Sequence, residues 1–151
     1  MVLLFWKLTQ TKQGELTMIE IKNLSTNMAD MKHAMGNARG WYSEIEQLLA
    51  DLQDDDKRDD AERQIREGPL SVMVRDGWRS PGGDNTAQAA EYEILLSTGG
   101  PALRIYGSLN GYGGPDSAEL QAQDWGTPWT RVPDCSESVL LDYANQFYYG
   151  N

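Results

Sequence analysis

Residues 90–130 decide the fold of this chain, and they read AEYEILLSTGGPALRIYGSLNGYGGPDSAELQAQDWGTPWT. Three runs in which apolar residues recur at alternate positions are separated by two glycine-rich turns, Gly99-Gly100-Pro101 and residues 110–115. Alternation with a period of two is typical of strands that bury one face, and glycine-rich turns join antiparallel neighbours. The stretch therefore predicts consecutive antiparallel strands.

A further apolar run precedes this stretch and completes a predicted four-stranded antiparallel β-meander within residues 70–131. The four predicted strands span residues 70–74, 90–98, 102–109 and 117–125. The inward residues of the second and fourth are Tyr92, Ile94, Leu96, Ala118, Leu120 and Ala122. The opposite face carries Glu91 and Glu93 and is expected to meet water, as antiparallel sheets allow.

Apolar residues in the N-terminal half recur with helical spacing instead. Between residues 27 and 53 they fall three or four positions apart, at Met28, Met31, Met35, Ala38, Tyr42, Ile45, Leu49 and Leu52. This heptad stripe predicts one helix, which either packs on its own sheet or pairs with a second copy in a coiled coil. A polar helix follows, and Gly68-Pro69 ends it. A break near Asp54 would make residues 27–67 a helical hairpin.

Residues 135–148 predict a closing helix, with Asp134 and Glu137 at the spacing of a capping box. The predicted fold class is α+β, with an N-terminal helical hairpin, the antiparallel sheet and a C-terminal helix in a single domain over residues 18–151. Residues 1–17 match nothing around them, and we interpret them as a tail or a start-site artefact ahead of Met18.

The net charge of −10 and the pI near 4.4 argue against nucleic acid or an anionic membrane as a direct partner. They favour a basic partner, or they serve solubility. No apolar run approaches the roughly 20 residues of a membrane helix, and the single cysteine, Cys135, cannot form an internal disulfide. We therefore expect a soluble, cytoplasmic protein.

The acidic residues are concentrated in residues 44–67, which carry ten acidic and four basic side chains. The predicted ion pairs at i, i+4 are Asp54–Arg58, Asp59–Arg63 and Glu62–Arg66. On one continuous helix, the ten carboxylates would extend over about 35 Å, close to the phosphate spacing of a DNA strand. The segment is thus a candidate nucleic-acid mimic, or simply a solvated helix.

No catalytic or ligand motif appears in the sequence. His33 is the single histidine, and the aspartates at 54–60 lack the spacing of a calcium loop. Glu91 and Glu93 share one sheet face and could do acid–base work, or they could be two solvated charges. We expect neither a metal nor a cofactor, and we expect no enzymatic activity.

Four aromatic residues stand in predicted loops or at strand ends among polar neighbours. They are Trp78, Tyr112, Trp125 and Trp129. Such residues commonly fill a core, but if several are exposed together they indicate binding anchors.

The motifs VRDGW at 74–78, AEYEILLSTGGPALRIYG at 90–107 and QDWGTPWT at 123–130 resemble a group of small acidic proteins encoded by phages and mobile elements of proteobacteria. The similarity covers about residues 35–150. It implies an origin on a mobile element, a setting in which some genes encode inhibitors of host defence, including anti-CRISPR proteins. It implies no particular functional residue.

The leading functional hypothesis is a non-enzymatic inhibitor that binds a basic, nucleic-acid-handling surface of a bacterial defence complex. The residues predicted to contact this partner are Asp54, Asp55, Asp56, Asp59, Asp60, Trp125 and Trp129. The alternative is an assembly protein that dimerises through the heptad stripe. The third hypothesis is a small enzyme with a deep pocket around Glu91 and Glu93.

Overall fold

The computed structural model describes residue 29 and residues 31–82 and 88–150. Within them the chain forms three helices and a five-stranded antiparallel sheet. Helix α1 runs through residues 31–51, α2 through Arg58–Glu67 and α3 through Glu137–Ala144. The α+β class with an antiparallel sheet is confirmed. The predicted tail over residues 1–17 and the start of the heptad stripe at position 28 lie outside the described residues.

The strands lie side by side in chain order, and each is antiparallel to its neighbours. They are β1 Ser71–Asp76, β2 Ala89–Ser97, β3 Ala102–Ser108, β4 Glu119–Gln123 and β5 Thr130–Arg131. The predicted number of four strands is wrong, because Thr130 and Arg131 pair with Ala122 and Gln121 at the edge of the sheet. Two residues are too few to show an alternating pattern, so this strand could not be predicted from the sequence.

The core lies on one face of the sheet and alternates along β2 and β3 as the sequence predicts. The buried residues of these two strands are Tyr92, Ile94, Leu96, Leu103, Ile105 and Gly107. The heptad stripe of α1 belongs to the same core, since Ala38 and Ile45 are fully buried while Met35 and Tyr42 pack at its margin. The stripe therefore packs within its own chain, the first of the two predicted interpretations.

Gly107 of β3 is required by the close approach of the connection that leads into β4. A Cβ atom there would lie 1.9 Å from the carbonyl oxygen of Ser117 and 2.9 Å from the ring of Tyr92. The hydroxyl of Tyr92 donates to that same carbonyl oxygen at 2.8 Å. This contact fixes the end of the core where the chain enters β4.

Helix α3 is shorter than predicted and has no capping box. Its N-cap is Ser136, which makes no side-chain capping bond, and Asp134 has a positive φ of 61°. The carboxylate of Glu137 instead accepts the backbone N–H of Ala118 at 3.3 Å. The predicted capping box is wrong because the carboxylate that the motif assigned to the helix start accepts from the connection leading into β4.

The chain breaks between α1 and α2 where the aspartates predict it. The carbonyl of Asp54 accepts the N–H groups of Lys57 and Arg58, and its side chain accepts the N–H of Asp56 at 3.0 Å. Such a side-chain-to-backbone bond competes with helix formation. The carboxylates of residues 44–67 therefore do not lie along one continuous helix.

Candidate functional site

The acidic segment, defined as residues 54–60, lies on the break and the first turn of α2, and all its residues are exposed. Its ion pairs follow the turn, not the predicted i, i+4 pattern, which is wrong. The observed pairs are Asp55–Arg58 at 2.7 Å and Asp60–Arg63, and Lys57 lies between Asp51 at 3.3 Å and Asp54 at 3.7 Å. Because the chain is not helical at residues 52–57, Arg58 turns back to Asp55 and also donates to the carbonyl of Leu52 at 3.0 Å.

Local pairing leaves two aspartates of the segment with their charge uncompensated. Among the residues that the structure describes, neither Asp56 nor Asp59 forms an ion pair. The other three aspartates each have a basic partner, although exposed pairs of this kind are weak and screened by salt. The net negative field of the segment therefore centres on Asp56 and Asp59.

Trp125 is presented to solvent by an ordered turn after β4. Its side chain is 78% exposed, although the turn that carries it is well bonded. The hydroxyl of Thr127 accepts the N–H of Asp124 at 3.0 Å and donates to the carbonyl of Asp124 at 2.8 Å, and Gly126 takes a φ of 75°. An exposed aromatic on a fixed backbone has little conformational entropy to lose on binding.

Trp129 is not exposed beside Trp125 but stacks on the outer face of the sheet, which is the face opposite the core. Its ring lies 4.2 Å from the guanidinium carbon of Arg104, and the ring of Tyr106 lies 4.8 Å from the same atom. Arg104 is held in this position by donating to Gln121 at 2.8 Å and to Glu93 at 2.6 Å. Trp129 therefore supports the outer face by cation–π stacking and is not an open anchor.

A second cluster on the outer face joins three strands. Arg75 of β1 donates to Glu91 of β2 at 2.7 Å, and the hydroxyl of Tyr106 of β3 donates to the same carboxylate. These hydrogen bonds, first from Tyr106 and then from Arg75, hold the pKa of Glu91 below its ordinary value. The same bond to Glu91 raises the pKa of Tyr106, and burial adds to that rise.

The carboxylates of Glu91 and Glu93 on the outer face border two cavities but are already bonded to arginines. The cavity beside Glu91 and Glu119 has a volume of about 310 Å³, and the one between Glu91 and Glu93 has about 180 Å³. Glu93 is paired with Arg104, and Glu91 with Arg75. Because the pKa of Glu91 is lowered, this carboxylate is a poor proton donor at neutral pH, and its bond to Arg75 is suited to holding β1 against β2.

Other candidate chemical groups do not assemble into a site. Burial raises the pKa of the Cys135 thiol, and the charges of Asp134 and Glu46 add to the effect. His33 is exposed on α1. Within residues 31–82 and 88–150, no three His, Cys, Asp or Glu side chains are placed to hold a metal ion. Over the same residues, no helix has the length and apolar character to cross a bilayer.

Known proteins do not identify a family for this chain. Comparison with protein-family models, with curated proteins and with solved structures gives no match. The resemblance to phage and mobile-element proteins therefore stays a hypothesis that depends on the three quoted motifs.

One surface was missed by sequence reasoning, namely the edge strand β1. Leu70 and Met73 are 58% and 60% exposed, and Val72 and Val74 are also open to solvent. In the described part of the chain, β1 has a neighbouring strand only on its β2 side. The sequence signal was its position as the first strand of the sheet, which leaves one edge without a partner by chain order alone.

Proposed function

We propose that the protein is a non-enzymatic inhibitor encoded by a phage or mobile element, resembling anti-CRISPR proteins in its role. It acts in the cytoplasm of the bacterial host and binds a basic, nucleic-acid-handling surface of a defence complex. The observation that carries the proposal is the acidic segment, in which five exposed aspartates stand within seven residues. A surface of this charge complements a groove that normally receives phosphates.

The form of the acidic segment narrows what it could imitate. Its carboxylates follow a turn and the first turn of α2, so they imitate a few adjacent phosphates and not an extended strand. Asp56 and Asp59 supply the uncompensated charge, while Asp54 also shapes the turn by accepting the N–H of Asp56. Arginines of the target could also exchange partners with the weak local pairs of Asp55 and Asp60, since exposed ion pairs contribute little.

Trp125 would supply an apolar anchor at the same end of the sheet at which α2 leads into β1. Strands β2 and β4 end where β1 and β3 begin, because neighbouring strands are antiparallel. Trp125 follows β4, and the connection from α2 enters β1 at that end. Trp129 has a supporting part through its stacking on Arg104.

The two other hypotheses have weaker support. Assembly through the heptad stripe would need residues such as Ala38 and Ile45 on the surface, and both are buried in the chain's own core. Acid–base catalysis on the outer face would need a carboxylate free of strong partners, and Glu91 and Glu93 are each bonded to an arginine. The hairpin arrangement of the helices over residues 27–67 likewise remains a prediction.

The test is phage plating on matched bacterial strains with and without CRISPR or restriction systems, each expressing the protein or carrying an empty vector. We expect the protein to rescue a targeted phage in one defended background and to leave undefended plating unchanged. Equal plating across a broad panel, with the folded protein confirmed in the cells, would refute the proposal.

Two double variants with the same net charge locate the effect. Asp56→Asn with Asp59→Asn removes the uncompensated charges, and Asp116→Asn with Asp142→Asn removes two exposed carboxylates elsewhere. We expect the first pair of substitutions to weaken inhibition strongly and to make binding to the target less dependent on salt concentration. The second pair of substitutions should retain inhibition. If both pairs behave alike, net charge alone is responsible and the acidic segment is not the binding site.

A further inference from the structure

We infer that the open edge of β1 binds an extended segment of a basic partner protein, which joins the sheet as an additional strand. This inference rests on the proposed function only for the positive charge of the partner. It adds the mode of binding, which is backbone pairing at a sheet edge with side chains seated along it.

The backbone groups that would pair can be identified from the register. The N–H of Leu109 donates to the carbonyl of Ala90 at 2.8 Å, so Ala90, and by alternation Tyr92 and Ile94, bond towards β3. The residues between them then bond towards β1, where Glu93 lies opposite Met73. The donors and acceptors of Val72 and Val74, which alternate with Met73, therefore point away from β2 to the open edge.

The edge lacks the features that usually protect an exposed strand. Natural edge strands are protected by proline, by bulges or by charges pointing inward. Residues 71–74 contain no proline and no charge, and the register irregularity of the strand lies at its far end, between Arg75 and Asp76. Both faces of the strand are apolar and open, with Val72 and Val74 on one and Met73 on the other.

Two shallow cavities along the outer side of β1 could seat alternate side chains of an added strand. One of about 180 Å³ lies beside Met73, and one of about 550 Å³ lies between Arg75 and the exposed ring of Trp78. The charges between them are already paired, as Arg75 with Glu91 and Arg79 with Asp76 at 2.9 Å. Specificity would therefore come from the apolar side chains of the added strand. The positive charge of the partner would act at longer range on the net negative charge of this protein.

Charge decides which occupant is favoured. The chain carries −10, and α2, with its acidic first turn, ends at Glu67, only four residues before β1 begins. A second copy would bring another −10 to the edge. A six-residue strand is only about 20 Å long, so edge pairing alone offers little area for a stable dimer. A basic extended segment is attracted to this charge, whereas a second copy is repelled by it.

The probe for this inference is a ten-residue peptide that alternates lysine and valine, compared with a block peptide of five lysines followed by five valines. Both carry the same charge, but only the first presents valines along one face of a strand. Hydrogen exchange of the full chain is followed at single amides. We expect the alternating peptide to slow exchange at Val72 and Val74 by at least about tenfold, and the block peptide to have little effect.

Two variants test the pairing itself. Val74→Pro removes one outward N–H without touching the ladder to β2, and Val74→Thr is its isosteric control. We expect protection to be lost in the first and retained in the second. If Val74→Pro does not fold, Val74→Glu serves instead. The added negative charge should by itself strengthen binding of a cationic peptide. Weaker binding to Val74→Glu would therefore result from the lost apolar contact.

Three outcomes would overturn the inference. The first is binding of the alternating peptide without protection at Val72 and Val74, which would leave a purely electrostatic interaction with the acidic segment. The second is retained protection at the amide of Val72 in Val74→Pro, or retained protection in Val74→Glu if that variant replaces it. The third is protection already present in the free protein, which would indicate a second copy if it rises with concentration and another part of this chain if it does not. None of these outcomes depends on the plating experiment.

Discussion

Strands β1 and β3 have similar apolar content but opposite environments. In β3, Leu103 and Ile105 are completely buried between two neighbouring strands and beneath the helices. In β1, Val72 and Val74 belong to the same face of the same sheet and remain exposed, because they lie beyond the core. Alternation in a sequence therefore identifies a strand, whereas the position of that strand in the sheet decides how much of its surface is buried.

The largest expected effect compares two residues that face each other across β1 and β2, namely Val72 and Ile94. Ile94→Ala should reduce the free energy of unfolding by about 2–5 kcal/mol, because Ile94 is fully buried and its loss leaves a cavity. Val72→Ala should cost less than about 1 kcal/mol, because its side chain is partly in water already. Urea denaturation of both variants measures the two values, and equal costs would mean that β1 is covered in solution.

An intermediate effect is expected where the core admits no extra atom. Gly107→Ala should destabilise the protein by about 1–3 kcal/mol, because the new methyl group meets the Ser117 carbonyl. Gly111→Ala is the control, since no atom lies within 4 Å of a Cβ atom built there. Thermal unfolding compares the two variants, and an unchanged melting temperature for Gly107→Ala would show that β3 and β4 can separate locally at no cost.

The smallest effect concerns the cluster that ties β1 to the central strands. Since the pKa of Glu91 is lowered in the folded state, its stabilising contribution is present above the ordinary glutamate pKa and is lost as the pH falls through the folded value. The raised pKa of Tyr106 acts in the opposite direction, so its contribution is lost as the pH rises through that folded value.

Between pH 6 and pH 3, the free energy of unfolding should therefore fall less for Glu91→Gln than for the wild type. The difference between the two falls should be less than about 1 kcal/mol, because Glu91 is partly exposed. Chemical denaturation at the two pH values measures the difference. Asp116→Asn, at an exposed position in the turn before β4, is the control and should follow the wild type. A Glu91→Gln protein with the wild-type acid dependence would mean that Arg75 and Tyr106 do not hold the carboxylate in solution.

The sequence predicts the middle of the fold well because local pattern and tertiary environment agree there. Strands β2 and β3 end within one residue of their predicted limits, and the break after α1 occurs at the aspartates. Where a competing partner decides the outcome, local pattern fails. Glu137 accepts a bond from Ala118, just before β4, and none from its own helix start, and Arg58 pairs with Asp55 because the chain turns before it.

The candidate site was predictable in composition but not in arrangement. The acidic segment could be located from the charges in the sequence, and Trp125 is exposed, one of the two outcomes considered for an aromatic residue in a predicted loop. The stacking of Trp129 on Arg104 depends on the register between β3 and β4 and on the turn before β5, which bring together residues 25 positions apart. The exposure of β1 depends on what lies beside it, which no local pattern contains.

Among the tryptophans in the described part of the chain, the two most exposed lie at opposite ends of the sheet, since Trp78 follows β1 and Trp125 follows β4, and these strands end at opposite ends. Indole emission moves to shorter wavelength when water is removed from around the ring. The protein therefore carries an intrinsic fluorescent reporter at each end. Trp125→Phe leaves the reporter after β1, and Trp78→Phe leaves the reporter after β4. Comparing the blue shift of the two variants on binding would show which end of the sheet a partner covers, without any added label.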